Sequence, residues 1–241
     1  MLVLVNCEES QEVCKAFRAL GHEAYSCDLQ DCSGGHPEWH LKTNGLKILH
    51  GLAFCPHCKG ILRSDRISVI CEPCERMWGN TEDGYIEVKR WDLMIAHPPC
   101  TYLCVAGLHY SKKDEERMWR TKHAAEFFMK LYNAPIPKIA IENPVGCMNT
   151  SFRKPDQIIE PYMFGTSERK KTCLWLRGLP VLLATHNDKP KPIKTIIRKT
   201  GSKAGQPYNY YWRQGKSAKE RSKTFPVIAK AMALQWGGLV K

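Results

Sequence analysis

The opening of the chain constrains the fold most, because two apolar runs flank a helical pattern within a short distance. "LVLVN" predicts a buried strand, and "EAYSCDLQ" predicts a second strand that ends at Asp28. Between them, "ESQEVCKAFRALGH" has apolar residues at helical spacing, with Ser10 as the expected N-cap and Gly21 after the last turn. A strand–helix–strand unit of this size predicts an α/β fold with parallel strands.

The same alternation continues along the chain. Further strands are predicted at 91–96, 138–143 and 171–176, and helices at 113–133 and 224–236. We therefore expect a Rossmann-like, doubly wound, mostly parallel sheet.

Composition narrows the class of protein. The chain has 241 residues, of which 43% are hydrophobic, so it can build a full core. Its apolar runs fall short of the roughly 20 residues that span a bilayer, and its start lacks the basic region of a secretion signal. We expect a cytoplasmic monomer without membrane contact, whose twelve cysteines are thiols or metal ligands.

One segment interrupts the alternation with two CxxC pairs. Cys55 and Cys58 form the first pair, and Cys71 and Cys74 form the second, twelve residues later. Four thiolates at this spacing are typical of a zinc ribbon with a structural, tetrahedral Zn²⁺. The alternative is four unligated thiols, which a small polar insert would hold in place poorly.

A second segment concentrates positive charge. The chain carries a formal charge of +12, and residues 186–223 hold eleven Lys or Arg against Asp188 and Glu220. Tyr208, Tyr210, Tyr211 and Trp212 lie among these charges. Cations interleaved with aromatic rings suit a nucleic acid, whereas a merely solvated basic loop is the other interpretation.

The stretch "DLMIAHPPCTYL" carries the first chemical candidate. A predicted strand ends here, where open α/β sheets place their ligand sites. Pro98 and Pro99 stiffen the loop that bears Cys100. Cys100 is therefore a candidate nucleophile, although most cysteines in such a chain are structural.

The stretch "IAIENPVG" carries the second candidate. Its apolar strand delivers Glu142 and Asn143 to a carboxyl end, and Pro144 stiffens the exit. We expect the apolar surroundings to raise the pKa of Glu142, so that it can donate a proton near neutral pH. A thiolate and such an acid together can activate a cytosine ring, by addition at carbon 6 and protonation at nitrogen 3.

These motifs resemble those of the cytosine-5 DNA methyltransferases. Pro98-Pro99-Cys100 resembles the family's nucleophile motif, and Glu142-Asn143-Pro144 resembles its acid motif. "FGTSERKKTCLWL" is similar to a later motif with a basic cluster, and the last helix is similar to the C-terminal motif. The resemblance is strongest to compact forms encoded by bacteriophages, and it covers most of the chain outside the CxxC and basic segments.

The resemblance implies roles for further residues. It implies methyl transfer from S-adenosylmethionine to carbon 5 of cytosine in DNA, on the methyltransferase version of the fold, with a flipped-out target base. Cys100 would be the nucleophile and Glu142 the proton donor. The target base would be held by the residues Pro98, Pro99, Asn143, Arg169, Lys170 and Lys171. The cofactor would be held by the residues Glu8, Glu9, Ser10, Asp28, Asn44 and His97.

The sequence departs from the family in its first loop, "NCEESQE", which contains no glycine. Two other functions therefore stay open. One is an amino-group methyltransferase, which stacks the base on an aromatic residue that this chain replaces with Cys100. The other is a non-catalytic zinc-ribbon protein that binds nucleic acid on a decayed methylase fold. A free nucleotide as substrate is a third alternative, against which the basic segment argues.

The expected domain organisation follows. Residues 1–50 and 79–185 form the catalytic domain, and 51–78 form the zinc-ribbon insertion. Residues 186–221 form a short basic target-recognition segment, and 222–241 form a C-terminal helix that returns to the catalytic domain.

Overall fold

The structure, a computed structural model, describes most of the chain. The described residues are 1–54, 61–64, 68–71, 76–79, 88–105, 108, 114–201, 203–210 and 223–238.

The centre of the fold is a seven-stranded sheet. Its strands are β1 (Leu2–Asn6), β2 (Glu23–Asp28), β3 (His40–Lys42), β9 (Leu93–Ala96), β10 (Lys138–Pro144), β11 (Gln157–Ile159) and β12 (Thr172–Arg177). They lie in the order β11-β12-β10-β9-β1-β2-β3. The predicted strands are all present in this sheet, with ends that differ by one or two residues.

Pairing in the sheet is mostly parallel. β1 pairs in parallel with β2 and β9, and β10 pairs in parallel with β9. The antiparallel pairs are those of β12, which runs opposite to both β10 and β11. The strand order reverses between β1 and β9, which makes this the topological switch point of the sheet.

Helices cover both faces of the sheet, as a doubly wound fold requires. The α-helices among the described residues are α1 (Glu12–Arg18), α2 (Glu115–Tyr132), α3 (Met148–Ser151) and α4 (Pro226–Gly237). Side chains alternate along β1, so Val3 and Val5 pack with α1 and α4, whereas Leu2 and Leu4 pack in the core that includes α2. The predicted C-terminal helix is thus present, and it contacts α1.

A separate antiparallel sheet interrupts the α/β alternation. Its strands are β4 (Leu52–Phe54), β5 (Ile61–Ser64), β6 (Ser68–Cys71), β7 (Arg76–Gly79) and β8 (Val88–Lys89), in the order β7-β6-β5-β4-β8. β8 pairs with β4, so this sheet includes residues beyond the expected boundary at 78. Of the four expected zinc ligands, Cys55, Cys58 and Cys74 lie outside the described residues, and Cys71 is described only as the last residue of β6.

The basic segment contains a two-stranded hairpin. β13 (Lys194–Ile197) pairs antiparallel with β14 (Pro207–Tyr210). The side chains of Tyr208 and Tyr210 meet edge to face, and the Arg198 guanidinium lies 4.5 Å from the Tyr208 ring. Within the described part of the chain, no helix has the length and apolar character needed to cross a membrane.

Candidate functional site

The candidate site lies at the carboxyl ends of β1, β9 and β10, beside the switch point. The β9 strand ends at Ala96, and the amide of His97 donates to the carbonyl of Asn6 at the end of β1 (2.9 Å). Ligands of open α/β sheets bind at this position, because the connections on either side diverge there. The location expected from the sequence is consistent with this topology.

The loop that follows β9, residues 97–104, is called here the Pro-Pro-Cys loop. Pro98 is buried, Pro99 is exposed and Cys100 is half-buried. The amides of Leu103 and Cys104 both donate to the Cys100 carbonyl, at 3.0 and 2.9 Å. Cys100 therefore begins a tight turn, and its position is set by backbone hydrogen bonds as well as by the two prolines.

Asn143 ties this loop to the neighbouring strand. Its side-chain amide donates to the Pro98 carbonyl at 2.7 Å, and the residue is only 1% exposed. The amide expected to hold a base thus donates one hydrogen bond to the loop itself. Asn143 supports the loop that carries Cys100.

A second connection joins the loop to the segment after β10. The Cys147 amide donates to the Leu103 carbonyl (2.8 Å), and the Val105 amide donates to the Val145 carbonyl (3.1 Å). A Cβ on Gly146 would lie 1.9 Å from the Leu103 carbonyl oxygen, so only glycine permits this approach. The loops of the two candidate motifs are thus built as one unit.

The Cys100 thiol is protonated in this environment. Burial raises its pKa above the ordinary value, and the nearby Cys104 and Glu142 add to the effect, while the charge of Lys170 opposes them. A thiol of this kind becomes a strong nucleophile only when its proton is removed during the reaction.

Glu142 pairs with His97. The Nδ1 atom of His97 lies 3.1 Å from Oε2 of Glu142, and the two side chains are 11% and 17% exposed. Burial alone would raise the pKa of Glu142, but the hydrogen bond and charge of His97, with Lys170 and the Thr172 hydroxyl, lower it instead. The expected rise in the pKa of Glu142 is therefore wrong, because the sequence did not reveal the histidine partner.

The three basic residues before β12 have separate environments. Arg169 donates from Nε and Nη2 to the carboxylate of Glu160, both at 2.8 Å, and Glu160 is buried. The charge of Lys170 acts on Glu142 and Cys100. Lys171 is exposed, and its charge acts on Cys173. Lys170 alone among the three is thus placed to influence both chemical candidates.

The loop after β1 forms its turn without glycine. Cys7 and Gln11 both adopt left-handed conformations, with φ of 60° and 58°. Such angles cost side-chain-bearing residues roughly 1–2 kcal/mol each. Gln11 offsets this cost because its buried amide contacts the Ser26 hydroxyl and both backbone polar groups of His36.

The acidic residues of this loop have partners within the protein. The Glu8 carboxylate is buried and accepts from the amides of Val13 (2.7 Å) and Cys14 (3.2 Å), at the start of α1. Glu9 accepts from the Ser33 hydroxyl. Ser10 is buried, and the N-cap of α1 is Gln11, so the prediction of Ser10 as N-cap is wrong. The left-handed turn at Gln11 moves the helix start by one residue.

A cavity of about 570 Å³ opens beside this loop and the Pro-Pro-Cys loop. Asp28, Asn44 and Pro99, all expected in the site, line it. The lining does not include the described residues Glu8, Glu9, Ser10 and His97, which were also expected at the cofactor. The remaining lining residues are Asn6, Cys7, Leu29, Thr43, Gly45, Tyr102, Glu116, Trp119, Arg120, His123, Ala124 and Phe127.

The inner end of the cavity depends on a close backbone approach. The side-chain amide of Asn6 donates to the Gly45 carbonyl (3.2 Å). A Cβ on Gly45 would lie 1.9 Å from the Asn6 side-chain oxygen. Asn44 accepts from the Leu46 amide (3.0 Å), so the turn that carries it is also fixed.

One face of α2 forms a wall that sequence reasoning did not identify. The rings of Trp119 and His123 are in tilted contact, with centroids 3.7 Å apart. Arg120 donates to the Tyr102 hydroxyl (3.0 Å) and pairs with Glu116. The spacing of Glu116, Arg120 and His123 places them on one helix face, but mixed polar and aromatic residues on a helix are also typical of plain surface.

Among the described residues, no group of three or more His, Cys, Asp or Glu side chains is arranged to hold a metal ion. Three of the four CxxC cysteines lie outside those residues, so the zinc site stays a prediction.

Comparison with models of known protein families found no match. A search of curated proteins found no similar chain either.

Proposed function

We propose that this chain is a DNA (cytosine-5)-methyltransferase. The observation that supports it most is the joining of a thiol and a carboxyl at neighbouring strand ends. Cys100 follows β9 and Glu142 lies in β10, and the Asn143 amide bonds the Pro-Pro-Cys loop at Pro98. Neither group activates a pyrimidine ring by itself, whereas the pair supplies both a nucleophile and an acid.

The chemistry uses the two side chains in sequence. The Cys100 thiol loses its proton to water as its sulfur bonds to carbon 6 of cytosine, and Glu142 delivers a proton to ring nitrogen 3. Carbon 5 then carries the electron density needed to accept a methyl group. After transfer, carbon 5 loses its proton to water, the carbon–sulfur bond breaks to leave a thiolate that regains a proton from water, and nitrogen 3 returns its proton to Glu142.

The cavity residues fit S-adenosylmethionine. Asp28 stands at the end of β2, the position from which an acid binds ribose hydroxyls in this class of sheet. Trp119, Phe127 and Leu29 offer apolar surface for a purine ring. When bound, this cofactor supplies an electrophilic methyl group. The sheet would then be the methyltransferase version of the Rossmann-like fold.

DNA is the proposed substrate because of the basic segment. Lys194, Lys199 and Lys203 are exposed on or beside the β13–β14 hairpin, and Tyr208 lies next to Arg198. Lysines neutralise phosphates, and a target base inside a duplex must be flipped out to reach Cys100. A recognition segment this short favours a short or relaxed target sequence.

The alternatives have less support. An amino-group methyltransferase does not require a thiol at position 100. The non-catalytic alternative rested on the glycine-free first loop. Because Cys7 and Gln11 take up the left-handed conformations themselves, that loop does not argue against cofactor binding.

A structural zinc is the second part of the proposal. Cys55, Cys58, Cys71 and Cys74 would hold it in a closed, four-thiolate site. Such sites contribute folding free energy on the order of 10 kcal/mol. We expect one zinc per chain by metal analysis, and Cys71→Ser to loosen the inserted sheet before the central sheet unfolds. Metal-free protein, purified without chelator, would contradict this.

A covalent trap tests the enzymatic proposal. DNA that contains 5-fluorocytosine should form a stable adduct, because fluorine on carbon 5 cannot leave as a proton does. The adduct should require S-adenosylmethionine, and Cys100→Ser should abolish it, since a serine hydroxyl is scarcely ionised at neutral pH. The matched control is Cys104→Ser, whose thiol is also half-buried and lies in the same turn.

The outcomes separate the hypotheses. An adduct that survives Cys100→Ser but not Cys104→Ser would mean that the motif assignment is wrong. Methylation of normal DNA without any trapped adduct would favour the amino-group methyltransferase. No binding of labelled S-adenosylmethionine would favour the non-catalytic protein.

A further inference from the structure

We propose that His97 is a positioning residue for Glu142: it orients the carboxyl and stores the proton that Glu142 passes to the base. This role rests on the proposed function. It places His97 at the acid rather than at the cofactor, where the resemblance had suggested it.

The geometry begins with strand register. Ala96 of β9 lies opposite Ile141 of β10 in the parallel pairing, so His97 and Glu142 are the next residues along the two strands. The His97 amide is fixed to the Asn6 carbonyl (2.9 Å). The backbone from which the ring extends is therefore fixed, and the Nδ1 atom of His97 lies 3.1 Å from Oε2 of Glu142.

The other ring nitrogen strengthens the assignment. The Nε2 atom of His97 is buried and has no hydrogen-bond partner in the described part of the chain. The contact with Glu142 is thus the hydrogen bond that orients the ring among these residues. This single hydrogen bond therefore links the orientation of the His97 ring to that of the Glu142 carboxyl.

Charged groups from three directions act on the imidazole. Glu142 lies on β10, Glu8 on the loop after β1, and Lys170 before β12. Burial tends to lower the pKa of His97, and Lys170 does the same, but the hydrogen bond to Glu142 and the two carboxylates raise it above the ordinary value. Because the pKa of His97 is raised and that of Glu142 is lowered, a proton shared by the pair is held by the imidazole rather than by the carboxyl.

The proton balance is written for the protonated imidazole. The Glu142 carboxylate alone has no proton to give to a bound cytosine. One proton moves from Nδ1 of His97 to the carboxylate, and one moves from the carboxyl to ring nitrogen 3. The positive charge thus moves from the imidazole to the base, where addition of the Cys100 sulfur, after its proton has passed to water, neutralises it. The proton on nitrogen 3 returns to the His97–Glu142 pair when the carbon–sulfur bond breaks.

His97→Asn separates orientation from proton storage. The asparagine amide can donate to Glu142 but cannot take up or release a proton in this range. In the wild type, the single-turnover rate of adduct formation with 5-fluorocytosine DNA should fall at a pH above 6.5, the ordinary value for histidine. In His97→Asn this limb should disappear, and the rate at neutral pH should fall by about 100-fold. His50→Asn, at an exposed histidine, is the control and should keep the wild-type profile.

A titration gives a readout that needs no activity. Nuclear magnetic resonance of the imidazole nitrogens should give His97 a pKa above 6.5, and Glu142→Gln should lower it. An unchanged His97 pKa in Glu142→Gln would overturn the pairing, even if His97→Asn does not fold.

The two proposals fail in different ways. If the wild type forms adducts and His97→Asn keeps both the rate and the basic limb, the role of His97 is overturned while the methyltransferase proposal stands. If the wild type forms no adduct and transfers no methyl group, the methyltransferase proposal falls, and the role of His97 in the reaction falls with it. The titration then still decides whether the pair exists.

Discussion

The Pro-Pro-Cys loop and the cavity beside it lie at the same edge of the sheet, but they are built from different parts of the chain. The loop is held by residues of two short stretches, 97–105 and 143–147, and its main contacts are backbone hydrogen bonds and the Asn143 amide. The cavity lining is collected from β1, the ends of β2 and β3, the Pro-Pro-Cys loop and one face of α2. The candidate chemical groups therefore lie in two short sequence motifs. The cavity lining, in contrast, brings together residues from several elements that are distant in sequence.

This difference implies a division of labour. The loop is rigid because prolines, a tight turn and a buried amide all restrict it, so changes there should alter the rate of the chemical step. The cavity wall on α2 is more exposed, with Trp119 at 60% exposure. Changes in that wall should alter the affinity for the cofactor and leave the chemical step intact at saturation.

Among the variants that test this division, the largest effect is expected at Asn143. Asn143→Ala removes the donor to the Pro98 carbonyl and leaves a buried acceptor without its partner. Because displacement of a reacting group by about 1 Å can cost 100-fold in rate, adduct formation at saturating cofactor should fall by about that factor. The free energy of unfolding should fall by about 1–3 kcal/mol, measured by urea denaturation.

The control for this variant is Asn133→Ala, at an exposed asparagine that ends α2. It should keep the wild-type rate of adduct formation. A rate for Asn143→Ala within a few-fold of wild type would mean that the prolines alone position Cys100.

A smaller effect is expected at Trp119, where the affinity for the cofactor should change and the rate should not. Trp119→Ala removes an aromatic surface from the cavity wall, so the dissociation constant for S-adenosylmethionine should rise by about 10-fold, the equivalent of 1.4 kcal/mol. Calorimetry measures the affinity, and the trap at saturating cofactor measures the rate, which should stay unchanged.

Met118→Ala is the matched control, because Met118 is its neighbour on α2, is 50% exposed and is not among the cavity-lining residues. If Trp119→Ala lowers the rate at saturation and leaves the affinity alone, the division between the two regions is wrong.

The sequence predicted the loop far better than the cavity, for a physical reason. Parallel strands deliver their last residues to one edge, so Cys100 and Glu142 could be placed together from the two motifs alone. The direction of the pKa change at Glu142 could not be predicted, because it depends on His97, which the resemblance placed at the cofactor and not beside Glu142. Asp28 and Asn44 were suggested by the family resemblance, whereas Trp119 and His123 carry no motif.

The conformation of the loop after β1 also depends on contacts that the local sequence does not reveal. The missing glycines of this loop suggested a departure from a nucleotide-binding turn, yet Cys7 and Gln11 themselves adopt left-handed angles. Buried contacts of the Gln11 side chain with Ser26 and His36 compensate for the strain. Such compensation depends on residues far along the chain and leaves no local pattern.

Substitution of charged residues outside the Pro-Pro-Cys loop and the cavity should have the smallest effect on these two regions. Lys199 and Lys203 are exposed in the loop that joins β13 and β14, while Arg213, the third basic residue expected to contribute, lies outside the described residues. Removing one lysine that neutralises a phosphate should reduce the slope of log affinity against log salt by about 0.9, so Lys199→Ala with Lys203→Ala should flatten it by roughly 1.8. The affinity for S-adenosylmethionine and the adduct rate at saturating DNA should stay at wild-type values, because neither residue lines the cavity. Lys130→Ala with Lys154→Ala makes the same change in charge at two other exposed positions. An unchanged slope for the hairpin pair would move DNA recognition away from the hairpin, and the inserted antiparallel sheet would be the next surface to test.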